Sequence, residues 1–480
     1  MRSISIKKII IISLLLTLQA CQKQEAYQID KQTLEINDFV YKALNTFYLW
    51  KDEVPDLADR RFSSQSQLNN YLQTYNDPEA LFENLLYKRG EVDRWSWIVS
   101  DYQALMQMFQ GITKTTGMHI GLVYEPGSST QIFAYVKYVT YNSPAEAQGV
   151  HRGDLFRKIN GEYLNINNYR DLLSQDVLSI ELAQWNGNTL SETGQILNLQ
   201  KVVLAENPIY IKQVIQTTSH KVGYLMYNGF VSQYDEQLND VFGYFNSQQI
   251  DRLIIDLRYN PGGSVQTLQY MASMITGQFT GQTLLKYQWH NQLNRWMQDN
   301  YPQQLRRLFV SQMRNGQSIN HLQLNQVVFI TTKNSASASE SLINCLKPYI
   351  NVTQIGTETH GKYTASVTLF DSPDFSGANV NPHHKWALQP IVLKVSNIRN
   401  ESDFIHGLSP DIYQSEDYFN LGQLGDLSEP LLQKSLNYVE NQTVANRFNK
   451  LHLEEIEYHT LQHYNMYVNF DDFEWPHLNK

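Results

Sequence analysis

The sequence predicts a multidomain α/β protein, chiefly because strand and helix patterns alternate over residues 201–415. Two other patterns precede this region, a helical periodicity within residues 33–114 and a strand alternation within residues 115–200. A chain of 480 residues is too long for one hydrophobic core and suggests roughly three units. Because 42% of its residues are hydrophobic and 18% are charged, the chain can bury such cores.

The charge and the cysteine content exclude several classes of protein. The 38 basic and 47 acidic residues give a net charge of −9, whereas nucleic-acid binding requires a basic surface, so we expect no nucleic acid partner. Two cysteines, Cys21 and Cys345, are too few for a disulfide framework or a four-cysteine zinc site. The adjacent histidines His383 and His384 have no third ligand near them in sequence, which favours a loop over a metal site.

Residues 1–20 have the pattern of a secretory signal peptide, with basic residues before a short apolar run. The run is too short to cross a bilayer as a helix. The segment Leu18-Gln19-Ala20-Cys21 resembles a bacterial lipobox, which implies cleavage before Cys21 and attachment of lipid to that cysteine. Ordinary cleavage beside an incidental cysteine is the alternative. Residues 21–32 are polar and are predicted to form a tether.

Residues 33–114 are predicted to form a helical domain. Apolar residues recur at intervals of three and four from Ile36 to Phe47, as on one face of a helix. Ser63 or Ser64 could cap a second helix, and Pro78 could begin a third. The block has no paired carboxylates and no clustered histidines or cysteines, so we expect it to be an accessory domain.

Residues 115–200 are predicted to form a domain of strands with one short helix. Ser143-Pro144-Ala145-Glu146-Ala147-Gln148-Gly149-Val150 and the following Gly153–Gly161 closely resemble the corresponding segments of a PDZ domain. The resemblance implies a groove that binds an extended peptide as an added strand and caps its C-terminal carboxylate. A fold used only for internal packing is the alternative. The positions that match the peptide-binding loop and strand are Gly117, Met118, His119, Ile120, Gly121 and Leu122.

The predicted core, residues 201–415, contains three apolar strands that each precede a helix. In open α/β sheets ligands bind beyond the carboxyl ends of strands, so the turns after these strands are candidate sites. Residues 416–480 are read as a C-terminal tail, with a helix only from Pro430 to Tyr438. The predicted strands are 222–226, 253–257 and 327–331, and the predicted helices are 234–245, 264–275 and 337–346.

Two segments of this core carry a candidate nucleophile and a candidate base. The run Asn334–Glu340 contains three serines, and Ser337 with Glu340 also forms a capping box, which is a plain signal for a helix start. A serine hydroxyl is a poor nucleophile and needs a base. Lys362 can be that base if burial lowers the pKa of its ammonium group.

A third segment could stabilise a negatively charged intermediate. Gly262 and Gly263 follow an apolar strand, and glycines there expose backbone N–H groups without a side chain in the way. Together with the N–H of Ala338, at the start of a helix, they could form an oxyanion hole. Asp256 and Arg258 flank this turn and are interpreted as buried structural partners, and Cys345 as a packing residue.

Along the chain, the glycine turn, the serine segment and the lysine segment follow a PDZ-like unit. With that unit they resemble the C-terminal processing, or tail-specific, serine peptidases, over about residues 115–415. The run Gly407–Asp411 and the N-terminal block look like those of Bacteroidetes-type lipoproteins. The resemblance implies a crotonase-like core and an endopeptidase that cleaves polypeptides with a Ser/Lys dyad, without a metal or another cofactor. It also implies a lipid-anchored location in the cell envelope of a Gram-negative bacterium.

The resemblance also assigns roles to residues. The nucleophile falls on Ser337 and the general base on Lys362. Four residues after the lysine the family often has a glutamine that orients it, and Ser366 stands there instead. The remaining oxyanion and supporting positions are Gly262, Gly263, Ala338, Glu340 and Thr359.

Three alternatives remain open at this point. Ser335 or Ser339 could be the nucleophile in place of Ser337. His360 could be the base, in which case Glu358 is the nearest candidate for the carboxylate partner that such a histidine needs. The chain could also be a non-catalytic peptide-binding lipoprotein on the same fold.

Overall fold

A computed structural model describes residues 29–446, 453–456 and 466–476. The predicted signal peptide, Cys21 and most of the predicted tether lie outside these residues. Among the helices of the described ranges, none is both long and apolar enough to cross a membrane.

The helices begin where the sequence supplies caps. Asp30, Ser64 and Asp101 each accept a hydrogen bond from a backbone N–H of the first helical turn, and Pro78 begins a helix behind the cap Asp77. The helices are α1 Lys31–Phe47, α2 Gln65–Leu72, α3 Pro78–Asn84, α4 Tyr102–Phe109, α5 Pro144–Ala147, α6 Tyr169–Ser174, α7 Asp235–Ser247, α8 Val265–Thr276, α9 Asn291–Asn300, α10 Ala338–Leu346 and α11 Pro430–Val439.

The strands form sheets that follow the predicted division into a middle region and a core. They are β1 Trp97–Val99, β2 Ile112–Thr115, β3 Met118–Tyr124, β4 Ile132–Val139, β5 Leu155–Ile159, β6 Glu162–Tyr163, β7 Val177–Trp185, β8 Leu190–Gln200, β9 Val202–Ala205, β10 Ile209–Gln216, β11 Lys221–Tyr227, β12 Arg252–Asp256, β13 Thr283–Trp289, β14 Arg306–Leu308, β15 Gln326–Thr331, β16 Asn351–Gly356, β17 Thr364–Ser366, β18 Leu369–Phe370, β19 Ala387–Gln389, β20 Ile391–Ser396, β21 Ile412–Tyr413 and β22 Glu455–Ile456.

The central sheet has the order β10-β11-β12-β15-β16-β21. β10 pairs with β11 in the antiparallel sense, and the other four pairings are parallel. The predicted apolar strands are β11, β12 and β15, and the predicted crossover helices are α7, α8 and α10, so the α/β prediction is confirmed. Leu253, Ile254 and Ile255 are fully buried because parallel strands are covered on both faces. The carboxyl ends of β12 and β15 are adjacent, since Asp256 pairs with Ile330.

The N-terminal block packs onto the core, because Phe39, Leu44 and Phe47 of α1 share one hydrophobic cluster with α8, α10 and the strand β13. The predicted N-terminal helical region is confirmed by α1–α4, and two short strands also lie within the block. β1 and β2 lie within the block and pair with β19 and β9. Strands of three or four residues are too short to show a clear alternation in the sequence.

Residues 118–200, called the middle unit below, form a sheet in the order β3-β4-β5-β7-β8, with β6 paired to β5, and β22 from outside the unit adds to the edge of β3. The unit has its own apolar core, to which α6 contributes Leu172 and Leu173. The strand alternation predicted within residues 115–200 is confirmed, and β3 and β4 are among its strands.

The described residues after 416, which are 417–446, 453–456 and 466–476, pack into the fold, so the interpretation as a tail does not hold for them. The predicted helix is confirmed as α11, which packs against β15 and β16. Glu429, its cap, also pairs with the buried Arg258 at 2.7 Å. Arg258 lies 2.7 Å from Asp256, which confirms these two residues as buried structural partners.

A short segment near the C-terminus, Met466-Tyr467-Val468, joins two parts of the core and is called the strap below. The N–H of Tyr467 donates to the carbonyl of Gly263 at 3.2 Å, and the N–H of Ser366 donates to that of Met466 at 3.0 Å. All three strap side chains are buried. The strap therefore links the turn after β12 to β17.

Candidate active site

Two turns meet at the carboxyl ends of β12 and β15. The N–H of Ala336 donates to the carbonyl of Asn260 at 3.0 Å, so the two turns are joined through their backbones. Side chains add to this link. The hydroxyl of Ser335 donates to the carbonyl of Leu257 at 2.7 Å, and that of Ser339 to the carbonyl of Asn260 at 3.1 Å. These two serines therefore hold the turns together.

Ser337 differs from its two neighbours. It is the N-cap of α10 and is buried. The N–H of Glu340 approaches its hydroxyl oxygen in a capping box, and no group of the described residues accepts a hydrogen bond from that hydroxyl. Its backbone has φ 65° and ψ −112°, a region that residues with a side chain rarely adopt. Such a conformation costs about 1–3 kcal/mol and persists only where the surroundings impose it. Ser337 is thus the serine whose hydroxyl is available for chemistry.

Glycine is required at the turn that faces Ser337. A Cβ atom on Gly262, at φ 103°, would lie 2.6 Å from the Cβ of Ser337, and one on Gly263, at φ 135°, would lie 2.3 Å from the carbonyl oxygen of Phe230. Neither position could accommodate a side chain without displacing the neighbouring backbone.

The backbone donors of this turn differ from the prediction in one respect. The N–H of Gly262 already donates to Asn260 Oδ1 at 2.9 Å, because the asparagine side chain folds back over the turn. The N–H groups of Gly263 and Ala338 have no acceptor in the described parts of the chain. An oxyanion hole here would use Gly263 and Ala338, and not Gly262.

Glu340 joins the start of α10 to the segment that carries the lysine. Its Oε2 accepts from the N–H of Ser337 at 2.7 Å and from that of Lys362 at 2.9 Å. Its Oε1 accepts from the Thr359 hydroxyl at 2.5 Å and from the N–H of Gly361 at 2.6 Å. Burial raises the pKa of the Glu340 carboxyl to about 7, although all four hydrogen bonds favour its charged form. One carboxylate therefore fixes the serine and lysine backbones relative to each other.

Lys362 is fully buried. Burial lowers the pKa of its ammonium group to about 7, against the opposing effect of the negative charges on Asp93 and Glu340. At neutral pH a large fraction of this lysine is therefore the neutral amine, which is the form that can accept a proton.

The N-terminal block supplies part of the surroundings of the lysine, a contribution that sequence reasoning missed. The Nζ of Lys362 lies 5.9 Å from the centre of the Trp95 ring, within the range of a cation–π contact. Asp93 is fully buried and accepts from the Tyr48 hydroxyl at 2.8 Å and from the N–H of Ser96 at 2.9 Å. Nothing local in the sequence marks these residues, because they meet the lysine only through the packing of distant segments.

Ser366, at the position of the family's orienting glutamine, makes its hydrogen bonds to other partners. Its hydroxyl donates to Gln389 Oε1 at 2.7 Å and also lies 3.4 Å from the carbonyl oxygen of Met466, and it makes no hydrogen bond to Lys362. As the third residue of β17, Ser366 faces the neighbouring sheet that contains Gln389. Its hydrogen bonds therefore link β17 to Gln389 and to Met466 of the strap.

Two cavities open beside Pro261. The smaller, of about 130 Å³, borders Gly262 and Gly263. The larger, of about 830 Å³, extends from the middle unit to His360. Of the residues predicted to bind a peptide, Met118, His119, Ile120 and Gly121 line the larger cavity.

The other two predicted peptide-binding residues do not line either of these cavities. The side chain of Leu122 is fully buried in the core of the middle unit. Gly117 packs against Ser143, whose Cβ would lie 2.1 Å from a Cβ on the glycine. Both residues are therefore packed in the protein interior and do not face the cavities.

The remaining candidates lie away from the reacting groups or are bound elsewhere. Glu358 is exposed, so it is not the buried carboxylate that His360 would need as a base. His384 lies 3.1 Å from Asp371, and His383 is exposed. Cys345 is buried in α10, and burial raises the pKa of its thiol, so its interpretation as a packing residue is confirmed.

Comparison with known proteins identifies the class to which this fold and site belong. Residues 221–413 match the model of peptidase family S41, and residues 35–97 match the model of the peptidase S41 N-terminal domain. The chain belongs to peptidase family S41 and is a serine protease related to the carboxyl-terminal processing proteases.

Named relatives and a solved structure agree with this assignment. The chain is 26% identical to the carboxy-terminal processing protease CtpB of Bacillus subtilis over 415 residues, covering 84% of this chain and 73% of that protein. It is 26% identical to a carboxyl-terminal-processing protease of Picosynechococcus over 246 residues, 50% of this chain and 52% of the relative. The crystal structure of a Bacteroides fragilis protein assigned to the S41 proteases has the same fold, with a TM-score of 0.64, 24% identity and coverage of 84% and 97%.

Proposed function

We propose that the protein is an endopeptidase in which Ser337 is the nucleophile and Lys362 is the general base. The observation that carries this proposal is the arrangement around Glu340, which ties a serine with an uncommitted hydroxyl to a buried lysine whose pKa is about 7. Both groups lie at the edge of the sheet where ligands of α/β folds bind.

The chemistry follows from these positions. The neutral amine of Lys362 takes the hydroxyl proton of Ser337 as the serine oxygen bonds to the peptide carbonyl carbon. The N–H groups of Gly263 and Ala338 stabilise the resulting oxyanion, and each such donor is worth about 3 kcal/mol. The C–N bond then breaks, and the leaving amine takes the proton from the lysine. Water adds to the acyl-enzyme by the same route and releases the new carboxylate.

Polypeptide substrates are proposed to enter along β3. The larger cavity runs from Met118, His119 and Ile120 to His360, so one extended chain could contact both the middle unit and the catalytic turn. A PDZ-like strand addition on β3 would hold the substrate near its C-terminal end. We also propose that Cys21 carries a lipid that tethers the protein in the cell envelope of a Gram-negative bacterium.

A covalent serine-reactive probe tests the proposed chemistry directly. An active nucleophile is expected to be labelled stoichiometrically at Ser337, as identified by mass spectrometry of the digested protein. The second candidate function is that of a non-catalytic peptide binder. It is favoured by the absence of the orienting glutamine, whose place is taken by Ser366, which donates a hydrogen bond to Gln389. Peptide binding without any labelling would establish that function and overturn the proposed one.

Activity is expected to rise with pH through a midpoint near 7, because only the neutral form of Lys362 can act as a base. The negative charge of Asp93 favours the ammonium form, so Asp93→Asn should lower the pKa of the lysine and move the acid limb of kcat/KM to lower pH. The measurement is a pH profile with an unstructured polypeptide substrate.

Tyr48→Phe is the matched control for this shift. It removes the hydrogen bond to Asp93 but keeps the charge, so the acid limb should stay in place. An acid limb that does not move in Asp93→Asn, or that moves to higher pH, would contradict the assignment of Lys362 as the base.

The alternative base is distinguished by a different substitution. Because Glu358 is exposed and does not orient the ring, His360→Ala should retain kcat/KM within about tenfold. A loss equal to that of a lysine substitution would instead support a serine–histidine mechanism.

A further inference from the structure

The outer edge of β3 is occupied by a distant part of the same chain. β22 adds to this edge as an antiparallel strand, with Glu455 opposite Val123 and Ile456 opposite Leu122. The N–H of Tyr124 donates to the carbonyl of Glu454 at 3.2 Å. The other edge of β3 pairs with β4, so β22 takes the side on which a peptide would be added.

The side chains of this segment make complementary contacts. Glu455 Oε1 lies 3.2 Å from Lys137 Nζ and accepts from the Tyr135 hydroxyl at 3.1 Å. Ile456 packs against the apolar core of the middle unit, beside Leu122. The edge therefore accepts an acidic side chain followed directly by an aliphatic one. Glu454, one residue earlier, is exposed.

The position and direction of the segment match those expected of a substrate. Glu455 and Ile456 line the same large cavity as Met118, Gly121 and His360. Because β22 is antiparallel to β3, its chain runs from the Tyr124 end toward the Met118 end. A peptide added to this edge with its C-terminus toward Gly117 would run the same way.

Few contacts bind residues 453–456 to β3. The pairing covers two residues, and the ion pair that accompanies it is partly exposed, with 24% of the Glu455 side chain accessible. Partly exposed ion pairs contribute little to stability because water competes with them. A peptide with a longer run of strand pairing could therefore take its place.

We propose that residues 453–456 are an internal ligand of the middle unit, which occupies the edge of β3 and is displaced by an incoming substrate peptide. The preferred peptide carries an acidic residue followed by an aliphatic one, in the manner of Glu455 and Ile456. This inference rests on the proposed function, since it requires β3 to be the edge that binds substrate.

Peptide binding to charge-reversed variants tests the proposal. The probe is a fluorescent ten-residue peptide that ends in Leu-Glu-Glu-Ile with a free C-terminus, and the full-length protein carries Ser337→Ala to prevent cleavage. Glu455→Lys places a cation against Lys137 and should release the segment, so the peptide should bind at least threefold more tightly by fluorescence anisotropy. Glu454→Lys makes the same charge change on an exposed side chain and should leave Kd unchanged. Equal affinity in Glu455→Lys and the parent would overturn the proposal.

A reversible cross-link gives a second test in one molecule. The hydrogen bond from Tyr124 to Glu454 makes Val123 and Glu455 a non-hydrogen-bonded pair, whose Cα atoms ordinarily lie about 4.5 Å apart, close enough for a disulfide. In the Val123→Cys/Glu455→Cys variant, the oxidised form should lose peptide binding and the reduced form should regain it.

The outcomes separate the two proposals. Equal binding by the oxidised and reduced forms would overturn the internal ligand while leaving β3 or another surface as a peptide site. Absence of peptide binding in the parent and in every variant would overturn the proposed peptide-binding edge, and the internal ligand with it.

Discussion

Ser337→Ala is expected to reduce kcat/KM for an unstructured polypeptide by about 10⁴-fold or more, with the thermal unfolding midpoint unchanged. The hydroxyl donates to no described residue, so its removal costs at most the capping-box contact with the N–H of Glu340. Lys362→Met should cause a comparable loss, because the buried site would keep an apolar stem but have no base. Cleavage rates by gel or fluorescence assay, with calorimetry of each variant, provide the measurement.

Ser339→Ala is the matched control for these losses. Ser339 lies on the same helix two residues away, but its hydroxyl donates to the carbonyl of Asn260. Its substitution should cost about 1 kcal/mol in the free energy of unfolding and leave most of the activity. Turnover close to that of the parent in either Ser337→Ala or Lys362→Met would contradict the proposed dyad.

Glu340→Ala is expected to have the largest effect on stability. It removes the acceptor of three buried N–H groups and of the Thr359 hydroxyl, and each unsatisfied donor costs about 1–3 kcal/mol. We expect a loss of at least about 3 kcal/mol in the free energy of unfolding, measured by urea denaturation. Activity should fall as well, because the backbone of Ser337 loses its restraint.

Two further variants control for this result. Glu358→Ala removes an exposed carboxylate of the same segment and should change the free energy of unfolding by less than about 0.5 kcal/mol. Glu340→Gln keeps one acceptor oxygen and should recover part of the lost stability. If Glu340→Ala unfolds at the same urea concentration as the parent, this carboxylate is not the structural link described above.

Much of the core could be predicted because its signals are local. The apolar runs that become β12 and β15 mark strands buried on both faces, and the serine–glutamate spacing at 337 and 340 marks the start of α10. The same spacing placed Glu340 correctly beside Ser337. The lysine segment has no such local signal, since a single lysine after a strand is common in sequences, so its choice as the base depended on its pairing with the serine segment and on the family resemblance.

The features that escaped prediction depend on contacts between distant segments. Asp93 and Trp95 lie near Lys362 because α1 and its neighbours pack onto the core, which no spacing of residues foretells. The Asn260 side chain that occupies the Gly262 N–H is a detail of turn geometry. Strands as short as β1 and β22 carry too few residues for a pattern.

The strap has a consequence for the order of events during biosynthesis. Met466, Tyr467 and Val468 bridge Gly263 to Ser366 of β17, four residues beyond Lys362, and their side chains are buried. Gly263, Ser337 and Lys362 all precede these residues in the sequence, so they are synthesised before the strap. The turn and the lysine segment therefore gain their full mutual support only after the strap has been synthesised and has packed between them.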